Sequence, residues 1–444
     1  MDIGYFKKVT QNPNPMHMIA SDIGNGGMGE DFIYCLENGT FYKYMDGYWR
    51  EVFVEQISKR IEEVYPGIVK FSHATKEQVI KQLRVQVYRE LSEFNREDLL
   101  NFEQGMFNAR NGKLIEHKKE YNSTIRLKYP YKKGASCELW LSTLDGIFQG
   151  DKDKINILQE YLGYCLTKDV SREKALLLLG ESRSGKSTIL NVINYLIGEE
   201  NTSSVALEFL SNPQYTAMLI NKMVNIDWDV ASGAEKFEAN FKVITSGEPV
   251  GVNQKFIKAF TFRPYCKLIM AANRFPRITD HSSAFYKRLI LLPCDRVFEP
   301  HEQDIKLKEK LKLELPGIFN WAVEGLHRLE ERGGFEVSLK FMTDAIEELR
   351  EESNPIDVFF KETIQVQISD SNKIDKSDLY KIYCDWCKEN GNAPLSGIKF
   401  GQYVYQKYSR FTPKKAQDSI TGRRIWRNLR LIKEDVSQEI DFKD

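Results

Sequence analysis

The stretch LLLLGESRSGKSTILNVINYLIG, Leu176–Gly198, decides the fold. Its apolar run reads as a buried strand, Ala175–Leu179, and STILNVINYLIG reads as an amphipathic helix. Between them Gly180-Glu181-Ser182-Arg183-Ser184-Gly185-Lys186-Ser187 fits G-x-x-x-x-G-K-[ST] at every specified position. A strand–glycine loop–helix of this kind wraps phosphates. The glycines let backbone N–H groups curl inward, Lys186 reaches the β/γ-phosphates, and the Ser187 hydroxyl can ligate Mg²⁺. The helix N-terminus at Lys186–Thr188 adds a field that favours the anion.

Outward from the loop, KMVNIDWDV reads as a strand, Met223 to Ile226, ending in Asp227 and Asp229. Alternate residues of a strand share a face, so both carboxylates are expected to aim at one metal, Asp227 on Mg²⁺ and Asp229 on the attacking water. FKVITSGEPVGVNQKFIKAFTFRP predicts a helix end, a glycine turn and a β-hairpin carrying Lys255, Phe256 and Lys258. CKLIMAANRFP is a hydrophobic strand ending at Asn273, and SSAFYKRLILLPC sets Lys287 and Arg288 directly before another.

The order of phosphate loop, acidic strand, basic hairpin, strand-end Asn and Arg-strand resembles the superfamily 3 helicases, AAA+ ring motors of viruses, phages and plasmids. More narrowly it is similar to the helicase half of poxvirus-type and phage/plasmid primase–helicases, and to replication initiators of staphylococcal mobile islands. The resemblance implies an ATP- and Mg²⁺-dependent DNA helicase working as a hexamer. Asn273 would sense the γ-phosphate, and Arg288 would reach into the neighbouring subunit's site. Lys255, Phe256 and Lys258 would grip single-stranded DNA in the central channel, a cation meeting phosphate while an aromatic stacks on a base. Asp-Trp-Asp departs from the family's compact acidic pair, and Lys287 stands where a second Arg is common. Two other readings of the same motifs are an origin-binding initiator without processive unwinding and an AAA+ remodeller of a protein partner.

The rest of the chain fits a multidomain α/β protein. At 444 residues it exceeds one ordinary domain. Expected segments are an N-terminal stretch with a β-hairpin (1–55, loosely ordered to about 30), a helical pre-helicase module (56–149), the AAA+ core with its parallel sheet and helical extension (150–345), and a C-terminal winged helix (346–444). Helical patterning is expected from Val52 to about Phe102, and IYCLENGTFYKYMDGYWREV reads as a hairpin. Lys+Arg and Asp+Glu are both 63, so net charge names no partner, but Lys373–Lys433 holds 14 basic against 5 acidic residues. Within that block GRRIWRNLRLIK, with Arg423, Arg424 and Arg427, reads as a basic wing for duplex origin DNA. Seven scattered cysteines and the lack of a signal-like N-terminus or a bilayer-length apolar run predict a cytoplasmic protein without a membrane anchor. Cys384 and Cys387 form C-x-x-C without a second pair, and the six histidines do not cluster, so neither predicts a metal site. No primase motif is legible, which leaves a separate primase or host replication proteins as possible partners.

Overall fold

A computed structural model describes residues 12, 14–65, 73–231, 237–255, 257–274, 283–353, 355–369, 372–411 and 416–432. The chain divides into two compact units, one ending at Ala345 and the other beginning at Ile346.

The first unit opens with helix α1 (Pro15–Gly24), whose Asn14 side chain accepts from the His17 N–H at 3.2 Å while Pro15 fills the first turn. This stretch was expected to be loosely ordered. The Asn-Pro start is a helix signal, and burial of Ile19, Ala20 and Ile23 supplies the driving force. They pack against Ile57 and Ile61 of α2 (Val54–Val64) and Val79, Ile80 and Leu83 of α3 (His73–Gln86). Between α1 and α2 lies an antiparallel meander, β1 (Phe32–Cys35), β2 (Thr40–Met45) and β3 (Tyr48–Val52), one strand more than the expected hairpin.

Helix does not continue to Phe102. The carbonyls of Val87 and Arg89 accept from Tyr34 and Leu36 at 2.9 and 3.1 Å, making β4 (Tyr88–Arg89) a parallel neighbour of β1. An available sheet edge overrides local helical preference there. A second small sheet follows, β5 (Leu99–Phe102), β6 (Gly105–Asn108) and β7 (Lys113–Ile115), with Asn111-Gly112 between β6 and β7.

Helices α4 (Glu138–Phe148) and α5 (Lys152–Cys165) lead into the core, separated by Gln149 and Gly150, both with positive φ. The core elements then run β8 (Ala175–Leu179), α6 (Lys186–Ile197), β9 (Thr202–Ser203), α7 (Pro213–Thr216), β10 (Val224–Asp227), α8 (Glu238–Thr245), β11 (Val250–Val252), β12 (Phe260–Phe262), β13 (Lys267–Ala272), α9 (Ser283–Tyr286) and β14 (Leu289–Pro293). Five of these strands form one parallel sheet in the order β14-β8-β13-β10-β9. The apolar runs show why it is central: Leu176, Leu177 and Leu178 are fully buried, as are Ile290, Leu291 and Leu292. Each such side chain contributes about 1.5–3 kcal/mol of burial. Strand order reverses beside β8, so the loops after β8 and β13 emerge side by side at the sheet's C-terminal edge.

Helices α10 (Leu307–Leu313) and α11 (Leu315–Arg332) follow, the break falling at Glu314 because Pro316 sits in the first turn of α11. Buried Glu160 of α5 binds Arg328 Nε at 2.7 Å and also Arg332, pinning α11 to the core. Helix α12 (Lys340–Ser353) follows.

The second unit runs α13 (Pro355–Thr363), β15 (Ile364–Val366), β16 (Lys373–Asp375), α14 (Lys376–Glu389), α15 (Gly397–Tyr408), β17 (Ile425–Arg427) and β18 (Leu429–Leu431). Its core joins Phe359, Phe360, Tyr383, Phe400 and Trp426. The basic strand is not continuous: Asn428, at φ 59°, breaks it, so β17 pairs with β16 and β18 with β15. Cys387 is buried in this core and Cys384 half-buried beside it, both as free thiols. Among the described residues no cluster of His, Cys, Asp and Glu could hold a metal, and no helix is long and apolar enough to cross a membrane.

Candidate nucleotide site and nucleic-acid contacts

The loop Gly180–Gly185 sits at the C-terminal end of β8 and opens α6. Its glycines are required by space and by backbone angle. A Cβ at Gly180 would meet the Cys294 carbonyl at 2.3 Å, and Gly185 combines φ 91° with Ile147 at 2.6 Å from a would-be Cβ. Arg183 also adopts positive φ, at 64°, and its carbonyl accepts from Phe298 N–H at 2.9 Å. Glu181, Ser182, Arg183 and Ser187 are exposed, Thr188 is half-buried, and Ser184 is buried.

Lys186 is the focus of the loop. Its ammonium donates to Gly180 O at 2.6 Å, Glu181 O at 2.8 Å, Ser184 Oγ at 3.3 Å and Asn273 Oδ1 at 3.1 Å. Burial pulls the lysine below its ordinary pKa, while Cys294, Asp229 and Glu181 act in the opposite direction. Asn273, the first residue beyond β13, thus meets the lysine 87 positions away. The pairing Ala272↔Leu179 brings the two strand ends level.

The two acids do not share a strand face, because β10 ends at Asp227. Asp227 is buried, and its Oδ2 accepts from Leu207 N–H at 2.7 Å. Burial raises its pKa, with the Leu207 and Asp229 N–H groups opposing the rise. Asp229 lies past the strand end, exposed, and its charge acts on Lys186.

Arg288 lies at the other end of the sheet. It precedes β14, whose Leu289 pairs with Ala175 at the start of β8, whereas the phosphate loop follows Leu179 at the end. A five-residue strand separates the two ends by roughly 15 Å. Arg288 Nη2 binds Glu173 Oε2 at 2.7 Å and Ser246 Oγ at 3.0 Å, and Nη1 donates to Ala284 O at 3.0 Å. Sequence patterning did not single out Glu173 or Ser246. Neither belongs to a motif, and only the tertiary fold brings them to the arginine. Lys287 is exposed beside it.

β11 and β12 pair antiparallel through Val250↔Phe262 and Val252↔Phe260, as the hairpin reading expects. Lys255 and Lys258 are exposed in the connection, and Phe256 lies outside the described residues. In the second unit Arg423, Arg424 and Arg427 are exposed around the Gly422 turn, while Trp426 between them is buried.

Residues 21–149 match the D5 N terminal like family, residues 178–288 a family of unknown function (DUF5906), and residues 351–425 the Poxvirus D5 protein-like family. The chain is 22% identical over 335 residues to the putative helicase L207/L206 of Acanthamoeba polyphaga mimivirus, covering 67% of this chain and 34% of that relative. The chain therefore spans about a third of that protein's length. Two apo structures of the NrS-1 C-terminal region share the mixed α/β fold, with TM-scores of 0.52 and 0.50 at 12% and 13% identity. They cover 92% and 94% of this chain and 98% and 100% of theirs. These matches liken the N-terminal and C-terminal parts of the chain to D5-type proteins and part of it to a protein named as a helicase, and the solved structures share its fold. The finer placement among superfamily 3 helicases and staphylococcal initiators rests on motif order alone.

Proposed function

We propose that the chain is an ATP-driven DNA helicase acting in replication of a mobile element or virus, built as a hexameric ring of superfamily 3 type. The observation that carries this reading is the convergence of Lys186 and Asn273 at adjacent strand ends, with the exposed Asp229 nearby. The donor set suits a triphosphate. Lys186 is buried at a helix N-terminus with its ammonium supported by carbonyls, and Ser187 and Asp229 are exposed. Lys186 would exchange its carbonyl partners for the β/γ-phosphates, and Asn273 would follow the γ-phosphate through the same lysine.

Ser187 and Asp227 would hold Mg²⁺, which neutralises charge on the phosphates. Asp229 would orient the attacking water. Arg288, too far along the sheet to serve its own loop, would complete the site of a neighbouring copy. Lys255, Phe256 and Lys258 would line the channel on single-stranded DNA. The second unit, as a winged helix, would touch duplex origin DNA through Arg423, Arg424 and Arg427. The segments 1–55, 56–149, 150–345 and 346–444 remain the proposed division of labour.

Strand displacement on a forked duplex tests the reading. Wild-type protein should release the labelled strand only with ATP and Mg²⁺, and Lys186→Ala should not. DNA-stimulated hydrolysis without displacement would favour an initiator, and hydrolysis indifferent to DNA a protein remodeller.

A further inference from the structure

Arg288 is held by three segments of its own chain, and the identity of those segments matters. Glu173 lies two residues before β8, the strand that carries the phosphate loop at its far end. Ala284 belongs to α9. Ser246 caps the C-terminus of α8 and stands four residues before Val250, the first residue of the β11–β12 hairpin. The Ser246 hydroxyl donates to Lys242 O at 2.9 Å and accepts from Arg288, so its oxygen links helix end and arginine at once.

The next residue ties the hairpin together. Arg263, one position beyond β12, donates from Nη1 to Gly247 O at 3.2 Å. Both ends of the hairpin therefore meet beside Ser246. The loop that carries Glu173 braces the same point. Val170 comes so close that a Cβ on Gly247 would sit 2.5 Å from its Cγ2, and Val170 O accepts from Glu173 N–H at 2.9 Å. An open cleft of about 430 Å³ faces the arginine, lined by Arg172, Glu173, Lys287 and Arg288. Arg288 itself is 19% exposed.

We infer that Ser246 is a positioning residue that couples Arg288 to the hairpin, and that Glu173 is the carboxylate Arg288 gives up when it engages a neighbour's phosphate. The inference rests on the reading of Arg288 as a residue acting in the neighbouring site. A guanidinium presents its donors in a fixed fork, so Nη2 cannot turn to a phosphoryl oxygen and keep both Glu173 and Ser246. The state with the phosphate engaged and the state without it then differ at the hairpin root. A bond made in one state and broken in the other shifts the balance between them by its own strength.

The test compares wild-type protein with Ser246→Ala, Ser246→Thr, Glu173→Gln and Arg288→Ala, measuring DNA-stimulated phosphate release and base pairs displaced per ATP on a forked duplex. Ser246→Ala should raise hydrolysis, as Glu173→Gln does, while base pairs opened per ATP fall about tenfold, the scale of one hydrogen bond to a charged group. Ser246→Thr, which keeps the hydroxyl, should restore the ratio. Glu173→Gln should raise hydrolysis severalfold, because the competing carboxylate is gone. An unchanged ratio in Ser246→Ala, no rescue by Ser246→Thr, or reduced hydrolysis in Glu173→Gln would overturn the coupling while leaving Arg288 in place. Normal hydrolysis by Arg288→Ala would instead remove the neighbour-site reading, and the coupling with it.

Discussion

Lys186 Nζ donates to Asn273 Oδ1 across 3.1 Å, joining the phosphate-loop helix to the end of the adjacent strand. The contact defines what Asn273 can do. It does not anchor the fold, since Asn273 is exposed. On the proposed reading it reports the lysine's position, and through it the state of the terminal phosphate. Asn273→Ala should therefore leave binding of a fluorescent ATP analogue within a few-fold of wild type and lower phosphate release by roughly 10²–10³, as loss of one aimed polar group does. Lys186→Ala should lose binding outright. Equal loss of binding in both variants would make Asn273 a structural partner of the lysine and nothing more.

Arg288 and Lys186 belong to opposite ends of the same sheet, so one chain cannot bring them together without unfolding it. Arg288→Ala and Lys186→Ala should each be inactive as purified proteins. Mixed in equal amounts they should recover hydrolysis, to about a quarter of the wild-type rate if copies exchange at random, because some interfaces then pair an intact lysine with an intact arginine. A mixture as inactive as its components would place the catalytic arginine elsewhere.

Alkaline pH should act on the fold through its buried lysines and thiols. Burial pulls Lys168 and Lys267 down to about 8, below the ordinary lysine value of 10.5, so above pH 8 the folded chain binds fewer protons than the unfolded one and stability rises. Burial pushes the thiols of Cys35, Cys137, Cys165, Cys266 and Cys294 up to about 12 from 9. Their contribution is complete below pH 9 and is lost as the pH climbs toward 12. Each group changes stability by on the order of 1 kcal/mol per pH unit within its window. The five thiols outweigh the two lysines, so the urea midpoint should rise slightly from pH 8 to 9 and fall beyond it. A midpoint flat from pH 9 to 11 would contradict the burial of those thiols.

Legibility in the sequence followed the range of the interactions. Ala175–Ser187 was readable because strand, loop and helix are local, and their apolar and glycine pattern has few alternatives. The hairpin around Lys255 was readable for the same reason. The helix at Pro15–Gly24 carried its signal in Asn14-Pro15, but the polar composition around it masked that signal. The end of helix at Gln86 was not readable, because it depends on a sheet edge some fifty residues earlier accepting Tyr88–Arg89. The acids were half readable: Asp227 falls at the strand end, whereas Leu207 N–H, which fixes its rotamer, is twenty residues away in sequence. Glu173 and Ser246 left no pattern, since their pairing with Arg288 spans 115 and 42 positions.

The basic turn of the second unit is organised by an acid. Asp418 is buried, its Oδ1 accepting from Ile420 N–H at 3.0 Å and Thr421 N–H at 2.8 Å and its Oδ2 paired with Lys373, which holds the carboxyl well below the usual range. Gly422 at φ 67° then reverses the chain and presents Arg423 and Arg424, the latter bridged to Gln417. Asp418 is thus engaged by the turn and by Lys373. Asp375, 3.8 Å from Arg423, offers a competing carboxylate there. If the turn meets duplex DNA, replacing both Arg423 and Arg424 with Ala should weaken binding by roughly tenfold at moderate salt and lower the slope of log affinity against log salt by about 2, one for each phosphate contact. Hydrolysis stimulated by single-stranded DNA should be untouched. Fluorescence anisotropy with a labelled duplex across a salt series reads both quantities. An unchanged slope would mean that these arginines only solvate the turn, and that any contact with duplex lies on another face of the unit.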